Sequence, residues 1–206
     1  MTDEEWIQII RLLLDSFPES SVTSNHDGRN PFQLLLHVWE YASPSAYDNL
    51  GEATYWMLRE RLEVETCLSF DGVFSPLHAL AGEEDSPLDI EPLRNYFFEQ
   101  YSENASCLDY YDRLPLHIAI EEGYRWIEHD DCVSPPSSCA DVLCKGSCIH
   151  DLYQLSTKAG KTRDITTRLY PFMAAAIEET GGADLDAIFE LLKQHPCAAR
   201  GLCSNQ

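Results

Sequence analysis

Positive charge is scarce in this chain: 14 lysines and arginines stand against 35 aspartates and glutamates, for a formal net charge of −21 over 206 residues. Such a balance argues against a phosphate-binding surface, so nucleic acid and anionic membranes are expected to be poor partners. The plainer reading of the acidic excess is that it keeps an exposed surface soluble, and a basic protein partner is the sharper alternative. Long apolar runs are missing too. No stretch approaches the roughly 20 consecutive apolar residues of a membrane span. Met1–Trp6 carries acids in place of a basic leader, and Ile7–Leu14 is interrupted by Gln8 and Arg11, which does not read as a secretory signal. An intracellular, cytoplasmic chain is the expectation, with its eight cysteines held as reduced thiols.

Catalytic signatures are equally thin. There is no glycine-rich strand-to-helix phosphate loop and no nucleophile elbow. Ala159-Gly160-Lys161-Thr162 looks like the end of a phosphate loop, but Leu155 stands where its first glycine belongs. No cofactor is implied and a non-enzymatic role is expected. A hydrolase that brings a cysteine and a histidine together in space is an alternative motivated by composition alone.

What the chain does have is repetition. Four segments share a turn, a proline and a short apolar helix: DGRNPFQLL from Asp27, DGVFSPLHALA from Asp71, DYYDRLPLHIAI from Asp109 and DITTRLYPFMAAA from Asp164. A second half repeats as well. Ile9, Leu12, Leu13 and Leu14 lead into FPESSV at Phe17, Leu93, Tyr96, Phe97 and Phe98 lead into YSENAS at Tyr101, and Leu191 and Leu192 lead into HPCAAR. Fourteen residues separate Phe17 from Pro31 and Tyr101 from Pro115 alike. Apolar residues spaced by three, four and seven line one face of a helix, so each unit is predicted to carry two helices.

Proline suits the first helical position, where its missing N–H would have had no partner. Asn30 and Ser75 are predicted N-caps, whereas Leu114 and Tyr170 in the same place cannot cap. The first helices are predicted to end near Gly82, Gly123 and Gly181, which tolerate a left-handed C-terminus. Prolines 31, 76, 115 and 171 lie 45, 39 and 56 residues apart. Extra residues must therefore lengthen the second helix or sit between helices, and Ala46–Leu62 reads as one such long helix with Tyr55, Leu58 and Leu62 on one face.

Ser75-Pro76-Leu77-His78-Ala79, and Leu114-Pro115-Leu116-His117-Ile118-Ala119-Ile120 followed by Gly123, resemble the signature of ankyrin repeats, whose regular unit is about 33 residues. The outer units keep proline with Phe32 or Phe172. The resemblance covers most of the chain in arrangement and about a fifth of it in signature residues. It implies an all-α, ankyrin-like solenoid of about four irregular helix pairs over residues 1–206. An N-terminal half unit would occupy about 1–26, with units starting near 27, 71, 109 and 164. A different solenoid of helix pairs would change the fold name and leave the function class intact. The resemblance also implies that His78 and His117 hydrogen-bond turn backbone.

By the same resemblance, a protein partner would be bound at the turn tips and first-helix faces. Carried over by position, these are His26, Asp27 and Arg29, then Val73 and Phe74, then Tyr110, Tyr111 and Arg113, with Gln33, His37, Glu121 and Glu122 beside them. Tyr110, Tyr111 and Arg113 lead, because tyrosine and arginine join large area to directional hydrogen bonds.

The longest interval between prolines carries Cys132, Cys139, Cys144 and Cys148, near His129 and His150. Tetrahedral zinc takes four thiolate or imidazole ligands, and pairs two to four residues apart make that easy. Cys144 and Cys148 have such a spacing; Cys132 and Cys139 are wider apart. A metal-binding module is the alternative function. The plainer reading is an insertion at about 130–160 with free thiols, marked by Ser134-Pro135-Pro136-Ser137-Ser138. Cys67, Cys107 and Cys197 read as small buried residues at helix ends.

Overall fold

Pro31, Pro76, Pro115 and Pro171 each open a helix, as their missing N–H favours. The computed structural model describes residues 12, 16–21, 23–60, 67–68, 72–83, 87–126, 148–177 and 183–198. Among these, the helices are α1 (Pro31–Tyr41), α2 (Tyr47–Glu60), α3 (Pro76–Ala81), α4 (Glu91–Gln100), α5 (Pro115–Glu121), α6 (Cys148–Leu155), α7 (Pro171–Ile177) and α8 (Leu185–Gln194). The described residues form no strand; one isolated antiparallel bridge joins Leu68 and Phe74.

Successive helices pack in pairs, α1 on α2, α3 on α4, α5 on α6 and α7 on α8. Each pair also meets the next: α3, α5 and α7 lie side by side, and α2, α4 and α6 form a second row. One apolar core runs between the rows. Phe32, Trp39, Leu77, Leu93, Phe97 and Leu116 are within 1 % of complete burial, and each such side chain stabilises the fold by about 1.5–3 kcal/mol.

Some polar groups inside that core find partners there, while Trp126 Nε1 is buried without a hydrogen-bond partner. Trp39 Nε1 donates to Thr54 Oγ1 at 2.9 Å, and that hydroxyl donates to the Leu50 carbonyl at 2.7 Å. Arg94, 2 % exposed, donates from Nη1 to the Leu88 carbonyl at 2.9 Å and sets Nε 3.2 Å from Asp151 Oδ2, tying α4 to α6. Gly51 lets α2 approach α4: a Cβ there would overlap the Tyr96 ring.

The caps follow chemistry, with corrections to the expected list. Asn30 caps α1 in a reciprocal box, accepting from Gln33 N at 2.8 Å while Gln33 Oε1 accepts from Asn30 N at 2.9 Å. Ser75 does not cap; its hydroxyl is taken by His78 Nδ1 at 2.6 Å. Gly123, at φ 80°, ends α5 with Gly123 N donating to Ile120 O and Tyr124 N to Ala119 O, a Schellman closure. Gly82 sits at φ −94° and is not left-handed. Gly181 and Leu62 lie outside the described residues. The long helix expected over Ala46–Leu62 is α2, unbroken from Tyr47 to Glu60, with Ala46 closing a 3-10 turn, Pro44–Ala46, before it.

Candidate functional site

Three of the turns before the prolines, the first, third and fourth, are built on one device. Asp109 N donates to Arg113 O at 2.9 Å, while its Oδ1 accepts from Tyr111 N at 2.9 Å and Arg113 N at 2.7 Å. Asn25 does the same in the first unit, with Asn25 N to Arg29 O at 2.8 Å and Oδ1 accepting from Asp27 N and Arg29 N. Asp164 repeats it with one extra residue, pairing with Leu169 O and accepting from Thr166 N and Thr167 N. Three residues before the proline the chain crosses into positive φ, at Gly28 (81°), Asp112 (56°) and Arg168 (61°). The first turn is thus anchored at Asn25, two residues before Asp27. Asparagine and aspartate share the acceptor oxygen this turn needs.

Neighbouring turns are joined by the two signature histidines. His78 Nε2 donates to the Arg113 carbonyl at 2.9 Å, and His117 Nε2 donates to the Thr162 carbonyl at 3.0 Å. A carbonyl oxygen only accepts, so both rings carry the proton on Nε2. Nδ1 then accepts, from the Ser75 hydroxyl in one unit and from Leu114 N at 3.2 Å in the other. Burial pushes both imidazoles below their ordinary value, His78 to about 4, which keeps them neutral.

Arg113, expected at the partner-binding tip, points inward. It is 18 % exposed, its Nε donates to Asp164 Oδ2 at 3.1 Å, and its Nη2 bonds Glu121. The side chain locks the third turn to the fourth, and Glu121 is drawn into the same pairing. Phe74 is also half-buried, edge-on to Tyr55 with ring centroids 5.3 Å apart. Arg29 and Glu122 are exposed.

Tyr110 and Tyr111 stand out from the third tip, 66 % and 48 % exposed, in an edge-to-face pair with centroids 5.4 Å apart. Val73 on the second tip and Ile165 on the fourth are exposed as well. Ile165 follows Asp164 as Tyr110 follows Asp109, so alignment on the turn aspartate, not on the proline, would have found it. The histidine bonds and the Arg113–Asp164 bridge hold these three tips next to one another.

The cysteines divide. Cys132, Cys139 and Cys144 lie outside the described residues. Cys148 opens α6 fully buried, and burial pushes its thiol well above the ordinary value. Among the described residues no three His, Cys, Asp or Glu side chains are grouped to hold a metal ion. Cys67 and Cys107 are only half-buried and Cys197 is exposed, against the expectation of burial. Gly160, of the phosphate-loop-like stretch, is a packing residue: a Cβ there would come 2.7 Å from His195 Cδ2 and 2.9 Å from Tyr153 Cε2. An open depression of about 340 Å³ between Asn95, Phe98, Glu99, Ser102 and Leu155 contains no acid–base pair suited to catalysis. No helix among the described residues is long and apolar enough to cross a membrane. No protein-family model, curated protein or solved structure matches the chain.

Proposed function

We propose that the chain is a divergent ankyrin-like repeat array that binds a protein partner at its turn tips and carries out no chemistry. The observation that supports this most directly is the division of labour within each turn. Buried histidine and aspartate groups spend their hydrogen bonds on main-chain atoms of the same or the next turn, while Val73, Tyr110, Tyr111 and Ile165 remain exposed at the tips. Exposed aromatic side chains on a rigid support suit recognition, because little conformational freedom is lost on contact. The helix pairs and their side-by-side rows support the array, and a cytoplasmic setting would suit the reduced thiols.

The test is affinity purification with the intact protein and with a Tyr110→Ala/Tyr111→Ala variant whose melting temperature is unchanged. A protein retained by the first and lost from the second supports the assignment. Retention by both would move the binding surface away from the third tip, and binding to neither would remove the proposal.

A further inference from the structure

Positive charge in this acidic chain is not spread evenly. Of its 14 basic residues, Lys158, Lys161, Arg163 and Arg168 fall within eleven positions, and all four are exposed. Asp164 is the one acid in that stretch, and it is 4 % exposed. Its Oδ2 receives Arg113 and its Oδ1 receives the Thr166 and Thr167 amides, so it does little to neutralise the four cations. Among the described residues no carboxylate lies within 4 Å of Lys158, Lys161 or Arg168. Arg163 is held in place, its guanidinium 4.6 Å from the centre of the Tyr170 ring, which stacks on Phe172. The turn fixes the backbone of Arg168 at φ 61°.

We propose that this patch receives an acidic segment of a protein partner, its carboxylates pairing with Lys158, Lys161, Arg163 and Arg168 while its apolar side chains rest on Ile165 and on Tyr110 of the turn that Arg113 ties to it. The assignment rests on the protein-binding reading above and deepens it. It reverses the sign expected from net charge. At physiological salt the potential of exposed charges decays over about 8 Å, so the four cations outweigh acids further off, and Glu121, the exposed acid beside Arg113, is already paired with that guanidinium. Charge-assisted bonds from arginine and lysine to carboxylate supply both orientation and on-rate. A nucleic acid or membrane would extend past the patch onto acidic surface and be repelled there; a short segment is not.

The test uses the full chain and fluorescence anisotropy with labelled octaglutamate, with octalysine and an eight-nucleotide DNA strand as comparators, at low and high salt. Two variants of equal net charge are compared, Lys161→Glu/Arg168→Glu in the patch and Arg59→Glu/Lys193→Glu elsewhere. Octaglutamate should bind, more weakly at high salt, and lose about tenfold in affinity with the patch variant and less than about twofold with the other. Equal loss in both variants, no octaglutamate binding at low salt, or tighter binding of octalysine or DNA would each overturn the proposal. A cellular partner that survives Lys161→Glu/Arg168→Glu but is lost with Tyr110→Ala/Tyr111→Ala would leave protein binding standing and overturn the acidic segment alone.

Discussion

The Nε2 of His78 donates to the main-chain carbonyl of Arg113, 35 residues further along the chain, across 2.9 Å. That bond joins the first helix of one unit to the turn of the next. It requires a neutral imidazole that stays buried, and this makes stacking sensitive to acid.

Stability should therefore fall on acidification before most carboxylates titrate. In the unfolded chain His78 has its ordinary value of 6.5; folded, burial lowers it to about 4. Between these values the unfolded state binds more protons, so the contribution is complete above about pH 6.5 and declines by up to roughly 3 kcal/mol toward pH 4. His117 is lowered for the same reason and acts in the same direction. Urea midpoints measured from pH 7.5 to pH 4.5 should fall steadily, and His78→Gln should flatten the slope while lowering the midpoint at pH 7.5. A flat profile in the parent protein would refute this.

Arg113→Ala should behave as a core lesion. The Asp164 carboxylate, 6 % exposed, would lose its guanidinium partner, and stranding a buried charge costs about 3 kcal/mol. Asp164→Asn should relieve part of that loss, so the double variant should be more stable than the two single losses predict. Additivity in chemical denaturation would show that the pair is not coupled.

Gly51→Ala should destabilise despite alanine's better helix propensity of about 1 kcal/mol. The new methyl would displace the Tyr96 ring, which has the rings of Trp39 and Phe97 close by, at 6.0 and 5.5 Å between centroids. A net loss of about 1–3 kcal/mol is expected, together with changed aromatic ring shifts at Trp39. A raised melting temperature would mean that the α2–α4 contact yields.

Asp112→Gly should stabilise slightly. Asp112 sits at φ 56°, where glycine fits without strain; Gly28 fills the matching place in the first unit. The gain should be under about 1 kcal/mol, since glycine also loosens the unfolded chain. A lower melting temperature would show that the Asp112 side chain contributes more than its backbone strain removes.

Helix pairs were legible because proline at the first helical position and apolar spacing act locally. The turn anchors are half legible: Asp109 and Asp164 head their segments, but in the first unit the aspartate-glycine pair is Asp27-Gly28 while the hydrogen bonds need only an acceptor oxygen, which Asn25 supplies two residues earlier. Arg113 misled for a different reason. Its neighbours along the chain mark it as a tip residue, and its partner Asp164 is 51 positions away. Ile165 and the cations beside it are not legible in the composition, because whole-chain charge hides local sign. Arg94 and Gly51 depend on contacts between successive units, which no single unit reveals.

Both histidine staples and the turn anchors end on main-chain atoms, which every residue but proline supplies in full. The identity of the side chains at positions 73, 110, 111 and 165 is thus decoupled from stacking. Substitution at those tips should cost the fold little, and a library randomised at the four positions should consist mostly of folded members.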